Sequence, residues 1–313
     1  MNTREIGCED LGLAIEEFAR EGFRLEAIYP ADDPKCAVLS RASDRVRLAL
    51  PDAPAISEGL PHFVPQFVVS HAGRAPSDGR AGMLYRDLIP GRLGGRYIAS
   101  HITIEKGGPV ADWVHYHRIA LQIIVVRRGW VRVVYEGEGE PFVMEPGDMV
   151  LQPPFIRHRV LESSPGLEVI EISAPALHET FADHEIALPG GESRDRPSGQ
   201  RFLHHRASKA PWVELKGVEV QETAMKTATG GLADVRMIRP GRARDVEFAP
   251  HPGELVFGFV LEGSARIGEK MLSAADAFVI PPEETWNLER MSHDFQLLHL
   301  TTAPLDAAAN WLL

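Results

Sequence analysis

One pattern used twice constrains the fold of this 313-residue chain more than any other feature. Residues 102–175 contain, in order, ITIEKG, VHYHRIALQIIVVRRG, PGDMVLQPPFIRH and ISAP. Residues 236–304 contain RMIRPG, APHPGELVFGFVLEG, AADAFVIPPEETW and TTAP. Gly107 aligns with Gly241, His117 with His251, Gly129 with Gly263, Asp148 with Asp276, and His158 with Trp286. A polar, histidine-rich set in the first copy faces an apolar set in the second. The chemistry is therefore expected in the first.

Each copy is a series of short alternating or apolar runs separated by Gly/Pro turns. In the first these are RYIASHITIE, ADWVHYH, QIIVV, WVRVVYE, DMVLQ and LEVIEIS, broken at EKGG, RRG, GEGE, EPGD and SSPG. In the second they are VRMIRPG, ELVFGFVLEG, AFVIPP and FQLLHLTT. Many short strands with almost no helix predict a mainly β, closed or double-sheet architecture. The tail PLDAAANWLL reads as a short terminal helix.

The start differs. Leu11, Ala14, Ile15 and Phe18 form a helical stripe ended by Gly22, and FRLEAIYP, CAVLSR and RVRLAL read as strands. This helix–strand–turn–strand order resembles half of a glyoxalase/bleomycin-resistance module, with no metal ligand matched. A packing appendage is the expectation. PDAPAISEGLPHFVP reads as a linker, and LPGGESRDRPSGQ separates the copies. The plan is a small α+β segment and linker over 1–70, a first barrel over 80–187, a connector over 188–212 and a second barrel over 213–313.

A formal charge of −11 with no basic block argues against nucleic acid or an anionic membrane as partner. Two cysteines, Cys8 and Cys36, make no disulfide framework, and no apolar run approaches membrane-spanning length. A cytoplasmic protein is expected. Monomer and homodimer are both open.

In HYH, His115 and His117 are two apart on a strand and leave from one face. Gln122 breaks that period, so a bend or bulge around Arg118–Ala120 must bring it to the same side. His158 comes from a later strand. Three imidazoles and a carboxamide converging in a small barrel make a divalent-metal site. One transition ion per chain is expected, Fe, Ni, Mn or Zn.

This stretch resembles the cupin superfamily. Its first motif is matched by Gly108, His115, His117, Gln122 and Gly129, with one extra residue before the first histidine. Its second is matched by Gly147, Pro153 and His158, with Phe155 standing for a glycine and Glu162 for an asparagine. The resemblance covers about 80–180 and, less fully, 215–304. It implies a bicupin of two double-stranded β-helix, jelly-roll-like barrels, with His115, His117, Gln122 and His158 as metal ligands of the first.

Most cupins carry Glu where this chain has Gln122. The neutral amide leaves the site a charge more positive, which predicts a small, anionic, bidentate substrate. The resemblance implies metal-bound enolate chemistry, either dioxygenase or redox-neutral isomerase, tautomerase or lyase, with a non-catalytic ligand-binding bicupin as the third reading. No carboxylate base is evident inside the barrel, which tips the expectation to the dioxygenase.

In the second copy Ala249, His251, Val256 and Trp286 hold the ligand positions, so that barrel reads as structural, Trp286 filling it. His101, Gln152 and Trp113 are candidate pocket residues. Parity turns Tyr116 and Arg157 away from the metal. His178-Glu179 and His184-Glu185 lack the helical His–His spacing of a metalloprotease and read as solvated loop. His204 and His205 read as connector.

Overall fold

A computed structural model describes residues 3–56, 59–78, 82–191 and 199–305. The expected terminal helix lies almost wholly outside the described residues. Two β-barrels, each a pair of facing sheets, make up most of the molecule. In the first, one sheet carries His115–His117, His158–Ser163, Val131–Tyr135 and Phe142–Met144. The other carries Met149–Leu151, Leu121–Arg128, Leu167–Ala174, Ile98–Ile104 and Leu84–Asp87. The second barrel repeats this with Val246–Phe248, Trp286–Glu289, Ser264–Ile267 and Lys270–Ser273 facing Ala233–Pro240, Gln296–Thr302, Val256–Glu262 and Ala277–Ile280. His115–His117 and Leu121–Arg128 lie in different sheets. The break at residues 118–120 is where the chain crosses between them.

The aligned glycines mark places a side chain cannot occupy. Gly129 and Gly263 have φ of +75° and +72°. A Cβ on either would meet the hydroxyl of Ser164 at 2.3 Å or Ser292 at 2.4 Å. Each hydroxyl accepts from the next backbone N–H, Trp130 or Ser264. The motif position held by Phe155 has φ of +63°, as does Glu283 in the second copy. The conformation that favours glycine is kept in both copies by a non-glycine residue.

The N-terminal segment is more than an appendage. Its order is strand Arg4–Gly7, helix Leu11–Arg20, then strands Arg24–Tyr29, Cys36–Arg41 and Asp44–Ala49. Asp10 caps the helix through Oδ1 to the Leu13 N–H at 2.9 Å. Leu11, Ala14, Ile15 and Phe18 pack on the sheet, as their spacing predicts. Arg24–Tyr29 pairs with Thr180–Ala182, which pairs with His115–His117. The four-stranded segment thus continues the histidine-bearing sheet.

The stretches read as linker and connector also contribute strands, and they are exchanged. Val68–Ser70, just before the first barrel, pairs with Ala277–Ile280 of the second. Leu203–His205, just before the second, pairs with Met149–Leu151 of the first. His204 and His205 therefore belong to the first barrel's sheet, and His204 stacks on Phe142 at 4.3 Å. Between the barrels lies one shared apolar core. Ile123, Val125, Ile170 and Ile172 from the first meet Phe257, Phe259, Leu298 and Leu300 from the second. A buried clamp closes its edge: Arg96 donates twice to Glu254, at 3.0 and 2.6 Å, and the Tyr97 hydroxyl adds a third bond at 2.9 Å.

Candidate metal centre

His115 and His117 leave the same face of their strand, and His158 lies directly across from His115 in the antiparallel pairing. One ring nitrogen from each lies within 4.8 Å of the others, and all three side chains are buried. The far side of each ring is tied to the protein. His115 Nδ1 donates to the Trp113 carbonyl at 2.7 Å and lies 3.5 Å from Asp112. His158 Nδ1 donates to the Ile156 carbonyl at 3.0 Å, and His117 Nδ1 is 2.9 Å from Thr180 Oγ1. Pinning Nδ1 orients the ring and presents Nε2 as the lone-pair nitrogen, which is how protein imidazoles are prepared for a metal. The donor set fits a divalent transition ion.

The histidines close the polar end of a cavity of about 80 Å³. Gln122 and Gln152 also line it. Gln152 Nε2 lies 3.2 Å from Gln122 Oε1 and 2.9 Å from His158 Nε2, while its own Oε1 accepts from the Tyr135 hydroxyl at 3.1 Å. Tyr135 stacks on His158 with ring centroids 5.6 Å apart, and burial pushes its phenol well above the ordinary range.

The expectation of a barrel without an internal carboxylate is corrected. Glu171 lines the cavity, and its Oε1 accepts from Gln122 Nε2 at 3.1 Å and from Ser173 Oγ at 3.3 Å. The carboxyl group missing at position 122 is thus present on the neighbouring strand.

Two pocket candidates lie elsewhere. His101 alternates with Ile102, and it is Ile102 that faces the cavity. His101 instead bonds Glu168 at 2.8 Å and sets its ring edge-on to Phe259 of the second barrel. Trp113 packs into the N-terminal segment's core, accepts from His115 Nδ1 through its carbonyl, and sets its ring edge-on to His115 at 5.2 Å. Tyr116 and Arg157 point away as parity requires, Arg157 lying 4.4 Å over the Tyr116 ring. The solvated-loop reading of His178 is also corrected. It is buried, 5.4 Å from His117 between ring centroids, bonded to the Pro175 carbonyl at 3.0 Å, and burial lowers its pKa. His184 is exposed.

In the second barrel the cavity is filled. Phe278 lies where a Cβ on Gly258 would meet its ring at 2.1 Å, and Trp286 stacks flat on Phe248 at 3.9 Å. Gly258 pairs with His299 as Ile124 pairs with Glu171, so an imidazole replaces the carboxylate there. Burial lowers His299 to about 3.

Solved structures share this architecture. The chain superposes on oxalate decarboxylase from Bacillus subtilis with a TM-score of 0.57 at 12% identity, covering 77% of each chain. It superposes on a putative glyoxylate-induced protein from Pseudomonas aeruginosa with a TM-score of 0.54 at 12% identity, covering 80% of this chain and 93% of the other. The fold is that of the cupins. No family model and no curated protein matches the sequence. At this identity the likeness concerns the cupin architecture alone. Among the described residues no helix is long and apolar enough to cross a membrane.

Proposed function

We propose that the first cupin barrel is a metal-dependent enzyme site for a small oxygenated organic compound, with His115, His117 and His158 as ligands and Gln122 beside them. The observation that carries this is the convergence of three buried imidazoles whose Nδ1 atoms are all committed elsewhere. A divalent ion bound there supplies a Lewis acid that lowers the cost of forming an enolate from a carbonyl compound.

The chain's own residues do the rest. Tyr135 holds the Gln152 carboxamide, whose amide reaches His158 Nε2 at 2.9 Å and would turn to a bound ligand once that nitrogen holds an ion. Glu171, held by Gln122 and Ser173, stands in the cavity as a group able to take or return a proton. The apolar walls exclude water and strengthen these interactions. Imidazole ligands bring no negative charge and Glu171 at most one, so a dication bound there keeps positive charge for an anionic ligand.

Because Glu171 can exchange a proton with a bound ligand, we rank redox-neutral proton transfer (isomerase, tautomerase or lyase) ahead of the dioxygenase reading, which rested on the absence of such a group. The dioxygenase stands second, since iron dioxygenases that bind metal through three histidines alone are similar to this site. Elemental analysis of the purified protein is expected to find one ion per chain. Turnover of a panel of diketones and 2-oxo acids without oxygen, with Zn or Ni, supports the first branch. Turnover only with Fe(II) and oxygen uptake supports the second. Ligand binding without any turnover reduces the barrel to a binding module, and a protein that takes up no ion overturns the proposal.

A further inference from the structure

Strand register sorts the walls of the first cavity into layers. Tyr135 pairs with His158, and both lie at the polar end with Glu171 and Gln122. Two residues further along their strands, Val133 pairs with Val160, and Val169 pairs with Ile102. One more step reaches Val131 and the pair Leu167–Ile104. Each step is about 6.6 Å along a strand. Among the described residues no lysine or arginine lines the cavity, and Glu171 is the one carboxylate that does. The one hydroxyl among the described lining residues of these layers is that of Tyr85, which pairs with Ile102 and donates to Met83 Sδ at 3.7 Å. A second carboxylate, or a run of hydroxyls, would therefore find far fewer partners in these layers than it loses in water, at a cost that its contacts would not repay.

We propose that the ligand of this barrel is amphipathic: its oxygen atoms sit at one end, against the histidines, and a hydrocarbon body extends into the apolar layers. Val169 and Leu167 set the length of that body. The class is a β-diketone, or a 1,2-diketone, with an alkyl or aryl substituent; dicarboxylates and sugar acids are excluded. This rests on the reading of the first barrel as the functional site and adds what that site accepts.

The probe is the series 2,4-pentanedione to 2,4-dodecanedione, with oxalate and gluconate, titrated calorimetrically into the full chain loaded with Zn(II) and into the metal-free chain. Each methylene that reaches an apolar layer is expected to tighten binding about fourfold. The gain per methylene is expected in both forms, because the layers do not depend on the ion. Oxalate and gluconate are expected to bind at least tenfold more weakly than octanedione. Val169→Phe is expected to end the gain at a shorter chain, and Leu167→Ala, in the farther layer, to carry it further. A flat series, oxalate binding tightest, or no binding of any dione to either form overturns the proposal. If no ion is taken up, the metal-enzyme reading fails, yet the metal-free series still decides this one.

Discussion

At the scale of single residues, the site is arranged from behind. His117 is held by Thr180, His115 by a carbonyl and His158 by another carbonyl, each at Nδ1. Thr180→Val keeps the shape of the side chain and removes the hydroxyl that lies 2.9 Å from His117 Nδ1. Metal affinity is expected to weaken about 10- to 100-fold with the fold intact, measured by competition with a chelator. His158→Ala removes a ligand outright, and elemental analysis is expected to fall from one ion per chain to none. Wild-type affinity in Thr180→Val would show that the hydroxyl does not orient the ring. The three histidines are legible in the sequence because their spacing and the two motifs around them fix their facing. Glu171 is not legible in the same way. In LEVIEIS the parity of Leu167, Val169 and Glu171 is plain, but Ile170 and Ile172 are buried too, against the second barrel. A strand covered on both faces does not announce which face is the cavity.

At the scale of elements, the repeated aspartate gains its meaning from the exchanged strands. Asp276 accepts from the Ser273 N–H of its own turn at 2.9 Å, and from the Ala72 N–H at 2.7 Å, beside His71. Asp148 does the same with the Glu145 N–H at 3.1 Å and the Ala207 N–H at 2.9 Å. Each buried carboxylate thus closes a turn and pins the strand that arrives from the other copy's approach. The sequence shows the aligned aspartates, but their partners lie far away along the chain, beyond any local pattern. Asp276→Ala leaves two N–H groups without acceptors and is expected to cost about 2–4 kcal/mol in urea unfolding. Hydrogen exchange is expected to quicken at 68–72 before it does so in the barrel strands. Uniform exchange across the second barrel would mean that the carboxylate serves its own turn alone.

At the scale of the whole molecule, the two barrels are joined across a face that the cavity does not use. The strand whose Glu171 faces the ligand turns Glu168 toward the second barrel. There Glu168 bonds His101 and Arg127, and Arg127 reaches the Leu261 carbonyl at 3.3 Å. The His101 bond, then Arg127, holds the Glu168 carboxyl down to about 2 against an ordinary value of 4.5. A depressed carboxylate pKa stabilises the fold above the unfolded value, and that contribution is lost as pH falls from about 4.5 toward 2. The side chain is only 13% exposed, and the shift corresponds to about 2–3 kcal/mol. His299, lowered to about 3 by burial, also loses stability on acidification, but from about 6.5 downward, where an unfolded histidine begins to charge. The two windows overlap only in part, so they can be separated. Glu168→Gln is expected to lower stability at pH 7 and to flatten the fall between pH 4.5 and 2, leaving the decline between 6.5 and 4.5 as it was. Thermal unfolding followed across that range checks it. An unchanged acid limb in Glu168→Gln would mean that the apolar core, rather than this ion network, decides how the barrels hold together in acid.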